Sequence, residues 1–241
     1  MSKFIFNNFE KFQEVFEETF QLDLCHWVEK HIIVKESSRS KPLDLPKWFL
    51  CKCLLTEPEK EILDLCENLF SKIKNLNGRS THTYVSNQIF GTLKECLHVE
   101  KLKRKYPDYK IRIVSSEFDA KSQTRAIFTK NIKSISRKSD LEVRFKEFVV
   151  PVHIKANDTF LKSHKLTFRG GSNPEYELIA KGQEFVHLIL SHDQYLSIKS
   201  MAKLSEHIER REDLSKDKMW GGKGAVRFYF KPSIMSLVQN Y

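Results

Sequence analysis

Phenylalanines at positions 9, 12, 16 and 20 recur at three- and four-residue intervals, with Glu10, Glu14, Glu17 and Glu18 between them, so the chain opens on a helix with one apolar stripe. That stripe reads as core. A polar loop over residues 36–42 leads to a second helical stretch from about residue 57 to 74, closed by Asn75-Leu-Asn-Gly78. A third begins near Thr83 or Ser86 and reaches about Lys105, where Tyr106-Pro107-Asp108 interrupts it. The period then shortens. Residues 110–114 alternate polar with apolar, and residues 140–145, 148–156 and 184–190 are short runs rich in β-branched or aromatic side chains, so all four read as strands. Residues 195–209 read as helix and 225–230 as a closing strand before Pro232. Helices followed by a mixed sheet with one or two more helices make an α/β (α+β) chain, with a helical N-terminal region at 1–80 and a sheet-bearing core at 81–241, or both as one continuous domain.

Composition narrows the partners. A chain of 241 residues buries a sizeable core without staples, and 40% hydrophobic with 30% charged residues is the balance of a soluble globular protein. No run approaches the roughly eighteen apolar residues of a membrane span, and the glutamates of the first twenty residues do not fit a secretion leader; a cytoplasmic location is expected. Cys25, Cys51, Cys53, Cys66 and Cys96 are odd in number, which fits reduced core thiols. With His26 they include zinc-binding types, yet lack the two-residue-gap pairs of zinc ribbons and fingers, so buried thiols is the preferred reading. A formal charge of +10 favours a polyanionic partner, because neutralised phosphates release their counterions.

The stretch that carries chemistry is 139–156. Two strand-like runs meet at Lys146-Glu147, and the simplest hairpin sets Asp140 opposite His153. Opposed residues share a face, as do residues two apart on one strand, so Asp140, His153 and Lys155 converge on one surface. Leu141, Val143, Phe145, Val150, Val152 and Ile154 make the apolar reverse. A carboxylate binds a hard cation through oxygen, and an ammonium beside it stabilises charge on a phosphorane or orients a water. Asp140 and Lys155 suit those tasks, and His153 holds a water or a phosphate oxygen.

Ser139-Asp140 followed by a strand ending His153-Ile-Lys155 resembles the motif of the PD-(D/E)xK nucleases, with Ser for the usual Pro and His for the second acid. It is most similar to small type II restriction endonucleases of the MspI kind, where an amide side chain can occupy that second-acid position. Lys218-Met-Trp-Gly-Gly-Lys-Gly224 running into Arg227-Phe-Tyr-Phe-Lys-Pro232 adds a looser likeness; the first eighty residues share none. The resemblance implies a restriction-endonuclease-like central sheet flanked by helices and Mg2+-dependent, sequence-specific cleavage of double-stranded DNA by a monomer or homodimer. It also implies a further oxygen ligand on the helix before the sheet, for which Gln88 and Glu95 are the candidates; Glu142, by alternation, and Glu117 and Asp119 are others. For DNA contact, Arg169 and Asn173, Lys218 and Lys223, and Arg227 offer donors that can reach base edges.

The remaining histidines, 82, 98, 164, 187, 192 and 207, read as structural, and at most one of His187 and His192 faces the pocket. Lys101-Leu-Lys-Arg-Lys105 reads first as a solvated helix end. Two other functions stay open. One is a structure-specific repair nuclease or an RNA-cleaving toxin using His153 or His207 as acid–base groups; the other is a non-catalytic nucleic-acid-binding protein.

Overall fold

The computed structural model describes residues 9–74, 76, 78–114, 117–130, 140–145, 148–156, 159–168, 186–189, 193–196, 204–214 and 226–241. The chain folds as two compact units, residues 1–100 with 113–138 and residues 101–112 with 139–241.

In the first unit the phenylalanine stripe forms α1 (Phe9–Phe20), where Phe12 and Phe16 are fully buried. Phe16 meets Phe20 at 4.4 Å between ring centroids and Trp27 edge-on at 5.3 Å. Trp27 belongs to α2 (Leu24–His31), a helix capped by Asp23, whose carboxylate accepts the His26 amide at 2.9 Å and contributes about 1 kcal/mol. The β-branched run Ile32-Ile-Val then turns the chain directly into β1 (Ile32–Lys35). Three more helices follow, α3 (Trp48–Lys52), α4 (Lys60–Phe70) and α5 (Thr81–Lys105). Val85, Ile89, Leu93 and Leu97, four residues apart on α5, enter the same core as Phe12, Phe49, Ile62 and Phe70. A small sheet orders β1–β4–β3, with β3 (Phe118–Asp119) antiparallel and β1 parallel to the central β4 (Thr124–Phe128).

The cysteines depart from the expectation of reduced thiols. Cys25 on α2 and Cys51 on α3 are joined as a disulfide, their Cα atoms 5.2 Å apart, because the packing of these helices brings them side by side. Cys53 and Cys66 lie buried with sulfurs 3.7 Å apart, and Cys96 is buried in the same core.

The second unit takes the last turn of α5 and two sheets. A six-stranded mixed sheet orders β12–β9–β8–β6–β5–β2. Its strands are β2 (Lys110–Ile113), β5 (Leu141–Phe145), β6 (Phe148–Ala156), β8 (Val186–Ile189), β9 (Gln194–Leu196) and β12 (Val238–Asn240). β6 and β8 run parallel, whereas the β5–β6, β8–β9 and β9–β12 pairs are antiparallel. A second, three-stranded antiparallel sheet orders β10 (Ile208–Asp213), β11 (Val226–Phe230) and β7 (Lys165–Phe168), with the short α6 (Thr159–Ser163) before β7. Phe160, Leu166, Leu204, Val226, Phe228, Phe230 and Ile234 form the core beneath it.

The helix expected over 195–209 does not appear in the described residues of that span, 195–196 and 204–209; 197–203 lie outside them. Tyr195 and Leu196 pair with β8, a single 3-10 turn spans Leu204–His207, and the residues after it pair with β11. Pairing across a sheet outweighs weak helical spacing where the flanking strands supply the partners. The mixed helix-and-sheet class is as expected. No helix among the described residues is long and apolar enough to cross a membrane.

Candidate active site

Alternation along β5 is sharp: Leu141 and Val143 are buried, Glu142 is half-buried and Arg144 is exposed. Asp140, also half-buried, stands immediately before the strand. The ladder to β6 pairs Leu141 with Val152, Val143 with Val150 and Phe145 with Phe148. This is the register of the hairpin read from the sequence, with two residues between the strands. One further step sets position 140 across from 153, so positions 140, 142 and 144 share one phase of the pleat with 153 and 155. The apolar positions 141, 143, 150, 152 and 154 take the other.

Beyond the hairpin, β6 continues against β8. His153 is in register with Val186 and Lys155 with Leu188, while His187 is in register with Ile154 and so lies in the apolar phase. His192 lies outside the described residues.

Glu142 is engaged. Arg112 on β2 donates to its Oε2 from Nε at 2.8 Å and from Nη2 at 2.5 Å. Arg112 escaped notice in the sequence, although the alternation Lys110-Ile-Arg-Ile of an edge strand was the available signal for cations on this phase. Asp140 stands two residues before Glu142, at the head of the strand and in the same phase.

The other candidates fall in different units. Glu95, Gln88, Glu117 and Asp119 belong to the first unit, and Asp140, Glu142, His153 and Lys155 to the second. Glu95 on α5 is 2.7 Å from Arg125 on β4 in a largely buried ion pair, and Gln88 is exposed. The Asp119 carboxylate accepts the amides of Lys121 at 2.8 Å and Ser122 at 3.2 Å. The Ser122 and Lys121 amides hold it below the usual carboxylate range, so it serves its own turn. The Glu117 carbonyl accepts the Ala126 amide at 2.8 Å.

Arg227, half-buried on β11, donates from Nε to Thr167 Oγ1 at 3.2 Å and stands 3.5 Å from Glu212 Oε2. Tyr229 donates its hydroxyl to the same Glu212 oxygen at 2.6 Å, and this bond, aided by Arg227 and Arg210, lowers the Glu212 pKa. Arg227 is therefore tied into the sheet face. Arg169, Asn173, Lys218 and Lys223 lie outside the described residues. His207 places Nδ1 3.0 Å from Ser233 Oγ, and His82 and His98 are buried on α5. No cluster of three or more His, Cys, Asp or Glu side chains among the described residues is close enough to hold a metal. No family model, curated protein or solved structure matches the chain.

Proposed function

We propose that the chain is a magnesium-dependent endonuclease of the PD-(D/E)xK kind, hydrolysing phosphodiester bonds of double-stranded DNA site-specifically as type II restriction enzymes do. The observation that carries this reading is the β5–β6 register, which puts positions 140, 153 and 155 in one phase of the pleat. The mixed sheet with β6 inside it, paired on both sides, supports a restriction-endonuclease-like core. The net charge of +10 suits the substrate.

The Asp140 carboxylate, a hard oxygen donor at a strand head, fits Mg2+ and would hold it. When bound, the ion polarises the phosphate and makes a coordinated water more acidic. Lys155 stabilises the charge that grows on the phosphate oxygens, and His153 orients the attacking water or a phosphate oxygen. Glu142, the second carboxylate of this phase, is gripped by Arg112 and would have to leave that pair to reach an ion.

The test is a gel. Purified protein incubated with plasmid or phage DNA and magnesium is expected to give discrete fragments, whereas Asp140→Asn and Lys155→Ala proteins give none but still bind duplex in a chelator. Undiminished cutting by both variants overturns the site. RNA cleavage that persists in the chelator overturns the metal-dependent mechanism in favour of acid–base chemistry.

A further inference from the structure

The second unit carries a basic groove beside the hairpin. It is an open cleft of about 470 Å3 lined by the last turn of α5, the turn after it, and strands β2 and β5. Lys103, Lys110, Arg112 and Arg144 line it, with Glu142 as the sole carboxylate among the described lining residues. All four cations are exposed. The Arg112–Glu142 ion pair cancels one of them, and Lys110 and Arg144 alone leave the groove with two exposed positive charges. Cations gathered in a cleft repel one another in the empty protein, and an anion laid along them relieves that repulsion.

Position and shape identify the anion. Arg144 shares the pleat phase of Asp140 and follows it by four residues, a separation of roughly 13–14 Å at ~3.4 Å per residue. DNA advances about 3.4 Å along its axis per phosphate on each strand and winds as it advances, so this distance spans roughly two phosphate steps of one backbone. The cleft is open and draws its cations from three elements, α5, β2 and β5, which suits a continuous polyanion better than an enclosed small anion. We infer that this groove holds the sugar–phosphate backbone of the duplex flanking the phosphate to be cut. The inference rests on the nuclease reading and adds to it a backbone-binding surface that fixes the duplex on the Asp140 phase of the sheet. Arg112, held by Glu142, is pre-oriented there, while Lys110 and Arg144 neutralise phosphates as exposed charges.

The experiment measures binding of a fluorescein-labelled duplex by anisotropy, in chelator, over a series of salt concentrations. Arg112 is left intact, since its removal would also uncover Glu142. The Lys110→Ala/Arg144→Ala protein is expected to bind more weakly, with a salt slope lowered by about two, one counterion-releasing contact for each charge removed. Lys110→Arg/Arg144→Lys should bind as the parent does. Lys30→Ala/Lys60→Ala removes the same charge from exposed positions of the first unit and should leave affinity and slope unchanged. Failure of the parent protein to bind, an unchanged slope in the groove variant, or an equal loss in both alanine pairs would each overturn the groove. So would displacement of the duplex by millimolar inorganic phosphate at matched ionic strength, which marks a small-anion pocket. Groove-dependent binding without cleavage in magnesium sinks the nuclease reading and leaves the groove standing; cleavage with groove-independent binding does the reverse.

Discussion

Arg112 on β2 holds the carboxylate of Glu142 on β5 through two donors that fall on one oxygen, Oε2. A carboxylate so engaged must give up an ion pair before it can take a cation, whereas the nuclease reading assigns the metal to the acid two residues before it. Glu142→Gln is therefore expected to keep cleavage within about ten-fold of the parent, while Asp140→Asn loses at least about a hundred-fold, the scale for removing a preorganised charge from a reacting centre. Initial rates against magnesium concentration decide it. A collapse in Glu142→Gln comparable with that in Asp140→Asn would make Glu142 a ligand in its own right.

Phe16 is the buried hub of the aromatic cluster between α1 and α2, touching Phe12, Phe20 and Trp27. Phe16→Ala should cost about 3–5 kcal/mol, and Phe20→Ala, from a half-buried ring, less. Urea unfolding followed by tryptophan fluorescence measures both, since Trp27 lies against the two rings.

His82 is buried on α5, and that burial holds its imidazole below the ordinary value of 6.5, a hydrogen bond with the Cys53 backbone opposing the shift. The unfolded chain takes up this proton near 6.5 and the folded chain only lower, so the unfolded state binds more protons as the pH falls. The stability it confers is present above 6.5 and declines as the pH drops through the window beneath. The part of the slope that His82 supplies should not exceed about 1.4 kcal/mol per pH unit, the limit for one proton, and should vanish in His82→Gln. Denaturant midpoints across the acid range test this.

The disulfide makes a counting prediction. With Cys25 and Cys51 paired, the unfolded and unreduced protein should titrate with the three thiols of Cys53, Cys66 and Cys96, and all five only after reduction. The bridge closes a sequence separation of 26, so Cys25→Ser should lower stability by about 3 kcal/mol. Five thiols without reductant would show that the two sulfurs merely sit side by side.

The hairpin was legible because a period of two over two adjacent runs fixes both face and register once the connection is short. α1 and the end of α5 at Lys105 were legible for the same kind of reason, a clean apolar period and a proline shortly after. β1 was not, since it continues α2 without a breaker, and its partner β4 is far along the chain. The span 195–209 misled because apolar residues at loose three- to four-residue spacing fit both a helix and strands paired with distant partners. Of the candidate site, the β5–β6 register and with it the phase of position 140 followed from the sequence alone. The grip of Arg112 on Glu142 did not, because it depends on which strand lies at the edge beside β5.

The parallel pairing of Ile32 with Arg125 has a bearing on how the protein comes into being. A nascent chain emerging from the ribosome presents its early helices long before the strand that completes their unit has been made. Until then Ile32 and Val34, buried in the finished molecule, have no neighbouring strand to shield them. Long-range closures of this sort are slow, so the apolar edge of this stretch stays open to wrong pairings until the later strand arrives.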